Sequence, residues 1–154
     1  MRIVHISDFH LDFNSIEDLR NYIIKPLKED LLEFHNNREI DLILFSGDMV
    51  DKGGASFNGD TMLAFYTFQE EVIEPLMESI GLPLERFFMV PGNHDVVRNL
   101  DNEVTEAGLT TILQSSEKVN SFIDSEDKNG INRVLPFKEY EKEFYQDFSG
   151  DAQL

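Results

Sequence analysis

The sequence predicts an α/β fold built on a mostly parallel sheet. Three short apolar runs, RIVHI at 2–6, DLILFS at 41–46 and RFFMV at 86–90, have the β-branched and aromatic content of buried strands. Two longer stretches between them repeat their apolar residues at threes and fours, as helices do. Strands alternating with helices of about twenty residues give the order β-α-β-α-β, with crossovers that imply a sheet covered on both faces.

The first strand begins almost at the N-terminus. From Ser15, followed three residues later by Asp18, the pattern turns helical through Ile16, Leu19, Ile23, Leu27, Leu31 and Phe34, with a kink expected at Pro26. After the second strand comes the turn-rich GDMVDKGG. A second helix is predicted from about Asp60 to Ile80, with Leu63, Phe65, Phe68, Val72, Ile73, Leu76 and Met77 on its apolar side and a bend at Pro75. Beyond Val97, residues 101–125 are amphipathic and acidic, SEDKNGIN at 125–132 reads as an exposed turn, and 136–148 forms a last amphipathic helix carrying Phe137, Tyr140, Phe144 and Phe148. The segment from 101 to 154 is too short for a usual domain and reads as an acidic helical extension packed on the core formed by residues 1–100.

At 154 residues the chain is the size of one domain, and 41% hydrophobic content with 28% charged is that of a globular protein. Thirty Asp and Glu against thirteen Lys and Arg leave a formal charge of −17. Such a field disfavours nucleic acid and anionic membrane, and a phosphate-containing substrate needs a metal or a local basic patch to overcome it. The absence of cysteine excludes disulfides, thiolate ligands and cysteine nucleophiles. MRIVHISD reaches a histidine and an aspartate without an apolar signal region, and no run approaches a membrane span, so a cytoplasmic protein is expected.

In open parallel sheets, function gathers outside the carboxyl ends of the strands. The first strand ends in Ser7-Asp8-Phe9-His10, the second in Ser46-Gly47-Asp48 with Asp51 three further on, and the third in Pro91-Gly92-Asn93-His94-Asp95. Carboxylate, imidazole and amide donors without thiolate suit Mn, Fe or Zn. Asp8 and His10, flanking Phe9, are spaced to face one ion. Asp48 is placed to bridge two, and the Asn93 amide oxygen to complete the second. Gly47 and Gly92 relieve crowding where the backbone turns. His94, one residue past a ligand, is expected to stand over the ions as a proton donor, with Asp95 orienting its ring.

These blocks, D-x-H, G-D-x-x-D and G-N-H-D in order at roughly forty-residue intervals, resemble the first three signature blocks of the calcineurin-like metallophosphoesterases. The resemblance covers residues 1 to about 100. It implies the N-terminal half of an αββα sandwich and hydrolysis of a phosphomonoester or phosphodiester by a metal-activated water. Two divalent ions are implied, manganese foremost and iron or zinc as alternatives. Asp8, His10 and Asp48 would hold the first, Asp48 and Asn93 the second; His94 would act near the leaving group, with Asp51 and Asp95 in support. Members of this family carry later histidine blocks that complete both metals, whereas here the histidines are His5, His10, His35 and His94. The expectation is therefore the N-terminal piece of a longer enzyme, its metal site completed by further C-terminal residues or a partner chain. The alternative is a catalytically incomplete binding or regulatory module in a larger assembly. A nuclease is a third reading, lowered by the acidic charge.

Among the other polar residues, His5 is expected in the core or behind the site, His35 at a helix end where its charge suits the dipole, Asp12 and Asp60 on the surface, and Arg98 in an ion pair.

Overall fold

The computed structural model describes residues 1–125 and 129–149. Strands β1 (Ile3–Ile6), β2 (Leu42–Phe45) and β3 (Phe87–Met89) form one parallel sheet in the order β1-β2-β3, with Ile3 opposite Leu42 and Ile43 opposite Phe87. The first crossover contains α1 (Ile16–Asp18) and α2 (Lys25–Asn37), and the second α3 (Thr61–Phe68) and α4 (Glu74–Ile80). After β3 come α5 (Leu100–Ile112), α6 (Ser116–Asp124) and α7 (Leu135–Ser149). Of the expected exposed turn, residues 126–128 lie outside the described residues, and Asn129–Val134 is a 3₁₀ segment.

The kinks expected at Pro26 and Pro75 take the form of π turns. Each proline is the second residue of an α-helix that directly follows a π segment, Leu19–Ile24 in one case and Gln69–Ile73 in the other. A proline ring collides with the carbonyl four residues back and offers no N–H to it. The wider turn avoids the conflict: the Lys25 N–H reaches the Arg20 carbonyl and the Glu74 N–H reaches the Gln69 carbonyl. This also shifts the apolar phase of the first helix. Leu19, Ile24 and Leu31 are buried, whereas Ile23 and Phe34, expected on the inner face, are 49% and 54% exposed. Leu63 is likewise half exposed, because it lies on the first turn of α3 away from Phe65 and Phe68.

The described residues cover one face of the sheet, not both. Ile43, Phe45, Phe87 and Met89 are buried against the helices, while Ile3, Leu44, Phe88 and Val90 on the other face are 37–49% exposed. The strand order explains the difference. Successive right-handed crossovers that always step in one direction leave every connecting helix on the same side.

Helix α7 packs across α3 and the β3 edge. Phe137 and Tyr140 meet the Phe65 ring at 5.8 and 5.2 Å, Phe144 meets Phe87 at 6.2 Å, and the Tyr145 hydroxyl donates to the Phe87 carbonyl at 3.0 Å. The last bond satisfies a carbonyl on an otherwise open strand edge. The Phe148 side chain lies outside the described residues. None of the described side chains of α5 and α6 is buried, and Arg133 pairs with Glu106 to tie α5 to the segment before α7.

Burial pushes the Tyr140 phenol well above its ordinary range, and its hydroxyl has no hydrogen-bond partner among the described residues. A buried unsatisfied polar group costs about 1–3 kcal/mol. Tyr140→Phe keeps the ring contacts and removes that cost, so urea denaturation should show stability unchanged or raised by up to about 1 kcal/mol. A loss of that size instead would mean the hydroxyl is bonded in the folded protein.

Candidate metal centre

The loops that follow β1 and β2 remain paired beyond the strands. The Asp8 N–H donates to the Gly47 carbonyl at 3.0 Å, His10 to Asp48 at 3.0 Å and Leu11 to Met49 at 2.8 Å, and Leu11 and Val50 form an isolated parallel bridge. Within this zipper Asp8, His10 and Asp48 all adopt left-handed backbone, with φ of 63°, 48° and 60°. Non-glycine residues there carry strain of about 1–3 kcal/mol each, held only because the surroundings over-determine the conformation. Three strained positions coincide with three expected ligands. Phe9, between the first two, turns inward against Phe45 and Phe68 at 6.0 and 5.6 Å and anchors the loop.

The β2 and β3 loops touch backbone to backbone. Gly47 has φ of +101°, and a Cβ on it would lie 2.5 Å from the Gly92 nitrogen. A Cβ on Gly92 would lie 2.1 Å from the Asp48 carboxylate oxygen Oδ1. Any side chain at either position would separate the two loops that carry Asp48 and His94.

Asp48 is buried and links the loops. Its Oδ1 accepts the His94 N–H at 2.8 Å, and its Oδ2 stands 3.8 Å from His10 Nε2. The His10 and His94 rings meet edge to face at 4.5 Å between centroids. One donor atom each from His10, Asp48 and His94 falls within 4.8 Å of the others. Asp8 flanks this trio, one of its oxygens 3.8 Å from His10 Nε2 and the other accepting from the Ser7 hydroxyl. Asn93 is exposed on the loop directly before His94.

The carboxylate on the His94 ring belongs to Asp51, not to Asp95. His94 Nδ1 is 2.9 Å from Asp51 Oδ1, while the Lys52 N–H makes a longer approach of 3.4 Å. Burial pushes the Asp51 carboxyl up, but its bonds to His94 and Lys52 outweigh that and hold it below the usual range. An ionised carboxylate only accepts, so Nδ1–H donates to it and Nε2 is the free ring nitrogen. Asp95 has a different task. It is 1% exposed and accepts the N–H groups of Asp48 at 2.7 Å, Val50 at 3.1 Å and Gly92 at 2.8 Å. Burial pushes its carboxyl up against the pull of those three bonds. Asp95 therefore fixes the loop that presents Asp48, and reaches the chemistry only through it.

The remaining polar residues also differ in part from expectation. His5 is exposed on the open sheet face, its Nε2 2.6 Å from the Ser46 hydroxyl. His35 lies in the last turn of α2, as expected, and its Nδ1 accepts the Ile40 N–H at 3.1 Å. Asp12 and Asp60 accept the Asn14 and Leu63 N–H groups as helix caps. Arg98 forms no ion pair with a described residue; its Nη2 donates to the Asn93 carbonyl at 2.8 Å.

Imidazole and carboxylate donors converging from three loops, on backbone strained to present them, suit a divalent cation of the first transition series. No helix among the described residues is long and apolar enough to cross a membrane.

Comparison with known proteins agrees with this chemistry. The chain is 27% identical over 154 residues to a Bacillus subtilis (strain 168) protein named as an uncharacterized metallophosphoesterase-like protein, YydB. The match takes in 97% of this chain and 28% of that protein, so the chain spans a little over a quarter of its relative's length. No solved structure matches. The model of the calcineurin-like phosphoesterases matches residues 1–151, and the chain belongs to that family.

Proposed function

We propose that this chain is the metal-holding N-terminal part of a longer enzyme that hydrolyses a phosphomonoester or phosphodiester. The observation that carries the reading is the convergence of His10, Asp48 and His94 within 4.8 Å on loops whose backbone is strained at Asp8, His10 and Asp48. Asp8, His10 and Asp48 hold one divalent ion, and Asp48 and Asn93 a second, manganese being the first choice and iron or zinc the alternatives. Such ions supply Lewis acidity toward the phosphate oxygens and acidify a water for in-line attack. Asp48 keeps the β2 and β3 loops in register by accepting the His94 N–H. Asp51 holds the His94 ring through Nδ1 and leaves Nε2 to deliver a proton to the departing alkoxide. Asp95 acts as a positioning residue through its three backbone bonds. A phosphate ester other than nucleic acid fits the charge of −17.

A second reading, a catalytically incomplete binding or regulatory module, is favoured by one observation. No histidine follows His94 in the sequence, and on this reading any further ligands are supplied by additional C-terminal residues or a partner chain. Support for such completion is the uncovered sheet face bearing Ile3, Leu44, Phe88 and Val90.

Calorimetric titration of the 154-residue chain with Mn(II) tests the choice. Two equivalents bound are the result expected if the loops described here suffice for both ions. One weak equivalent points to ligands supplied from elsewhere, and no binding overturns the metal-centre reading.

A further inference from the structure

The chain carries a charge of −17, yet the reaction proposed for it requires an anionic ester to approach a carboxylate-rich centre. The group that faces this problem from the side of the third loop is Arg98. Its guanidinium donates to the carbonyl of Asn93, the residue directly before His94, and so is held against the loop that carries both. One of the five N–H donors of a guanidinium is used in this bond. No carboxylate among the described residues pairs with it, although the chain holds thirty Asp and Glu.

Arg98 opens into a cleft of about 210 Å³ lined by Val97, Arg98, Asn102, Glu103, Glu106 and Arg133. Glu106 is neutralised by Arg133 at the far side. Neither Arg98 nor Glu103 has an ion pair among the described residues, so an anion in the cleft is drawn to Arg98 and away from Glu103. The cleft therefore accommodates one anionic head on the Arg98 side, next to polar and apolar lining. Its volume suits a group of roughly ten non-hydrogen atoms, smaller than a nucleotide.

We propose that Arg98 is a specificity residue that binds a second anionic group, a carboxylate or phosphate, on the leaving-group side of the substrate. The favoured substrates are small phosphate esters whose organic part ends in one such group. A guanidinium offers two parallel N–H donors to a carboxylate or phosphate, and fixing it on the Asn93 carbonyl removes much of the rotamer freedom that binding would otherwise cost. Arg98 touches no candidate metal ligand side chain in the structure, so its contribution falls on affinity for the substrate's remote end. This inference rests on the metal-centre reading.

The test is calorimetric and needs no turnover. The Mn(II)-loaded 154-residue chain is titrated with methylphosphonate, which has one anionic group, and with 3-phosphonopropionate, which adds a carboxylate at the far end. The wild-type chain should bind the second about tenfold more tightly, and Arg98→Gln should bring the two within about twofold of each other while leaving the methylphosphonate affinity unchanged. Equal affinities in the wild type, or a preference that survives Arg98→Gln, overturns the assignment of Arg98 alone. Mn(II) binding without binding of either phosphonate overturns this inference and leaves the metal centre standing, whereas absence of Mn(II) binding overturns the metal-centre reading itself. Arg98→Lys separates charge from geometry: retention of less than half of the preference is expected, because an ammonium lacks the paired donors.

Discussion

In the phosphoesterase proposed above, Asp48→Asn is expected to lower activity by about a thousandfold, equivalent to roughly 4 kcal/mol of lost transition-state stabilisation. The reason lies in where Asp48 sits. It is the one carboxylate of the close trio, is buried, and faces His10 through Oδ2 while bonding the His94 N–H through Oδ1. Asparagine keeps the size, tolerates the left-handed backbone at φ 60°, and can still accept from His94. What it lacks is the charge that holds a divalent ion. The metal-free variant should therefore unfold at the same urea concentration as the wild type, or slightly higher, since Asp48 also raises the carboxyl of the nearby Asp95 by repulsion. Added Mn(II) should raise the melting temperature of the wild type and not that of the variant, because a ligand stabilises only the state that binds it. Undiminished hydrolysis by Asp48→Asn would sink the proposed function.

The largest effect on stability is expected at Asp95, whose carboxylate holds three backbone amides of the site loops. Asp95→Ala leaves the N–H groups of Asp48, Val50 and Gly92 without their acceptor in a buried position. At about 1–3 kcal/mol for each unsatisfied buried donor, partly relieved by water entering the gap, the loss should total about 3–5 kcal/mol. Chemical denaturation measures it directly, and a loss under about 1 kcal/mol would show that the loop stands without the carboxylate. Asp95→Asn, whose amide oxygen accepts one or two of the three, should fall between. The pH dependence has a defined sign. The folded pKa of Asp95 is raised, chiefly by burial, so the folded state holds the proton more tightly than the unfolded chain between the ordinary carboxylate value and the raised one. Its contribution to stability falls as pH rises through that window, and Asp95→Asn should flatten the stability profile there.

The sequence by itself determined the framework. Three apolar runs and the periodic stretches between them specified β1, β2 and β3 with their crossover helices, because strand and helix periodicities are local properties. Asp8, His10, Asp48 and His94 were legible as a constellation for the same reason: each follows a strand, and parallel strands end on one edge. Gly47 and Gly92 were legible too, and the structure shows the backbone approach that requires them.

What depended on contacts between distant segments was decided only by the tertiary structure. Asp95 adjoins His94 in the sequence and Asp51 lies 43 residues before it, yet the loop geometry sends Asp51 to the ring and Asp95 to the amides of Asp48, Val50 and Gly92. Arg98, in a chain rich in carboxylates, bonds a carbonyl. The side of the sheet that each crossover covers follows from the order β1-β2-β3, a long-range pairing that no local pattern encodes. The π turns before Pro26 and Pro75 rotated the apolar faces that a uniform helical period would assign, because one wide turn advances every later side chain around the axis. Periodicity and motif order are written along the chain; the partner of a polar side chain is set by which loops the fold brings within hydrogen-bond reach.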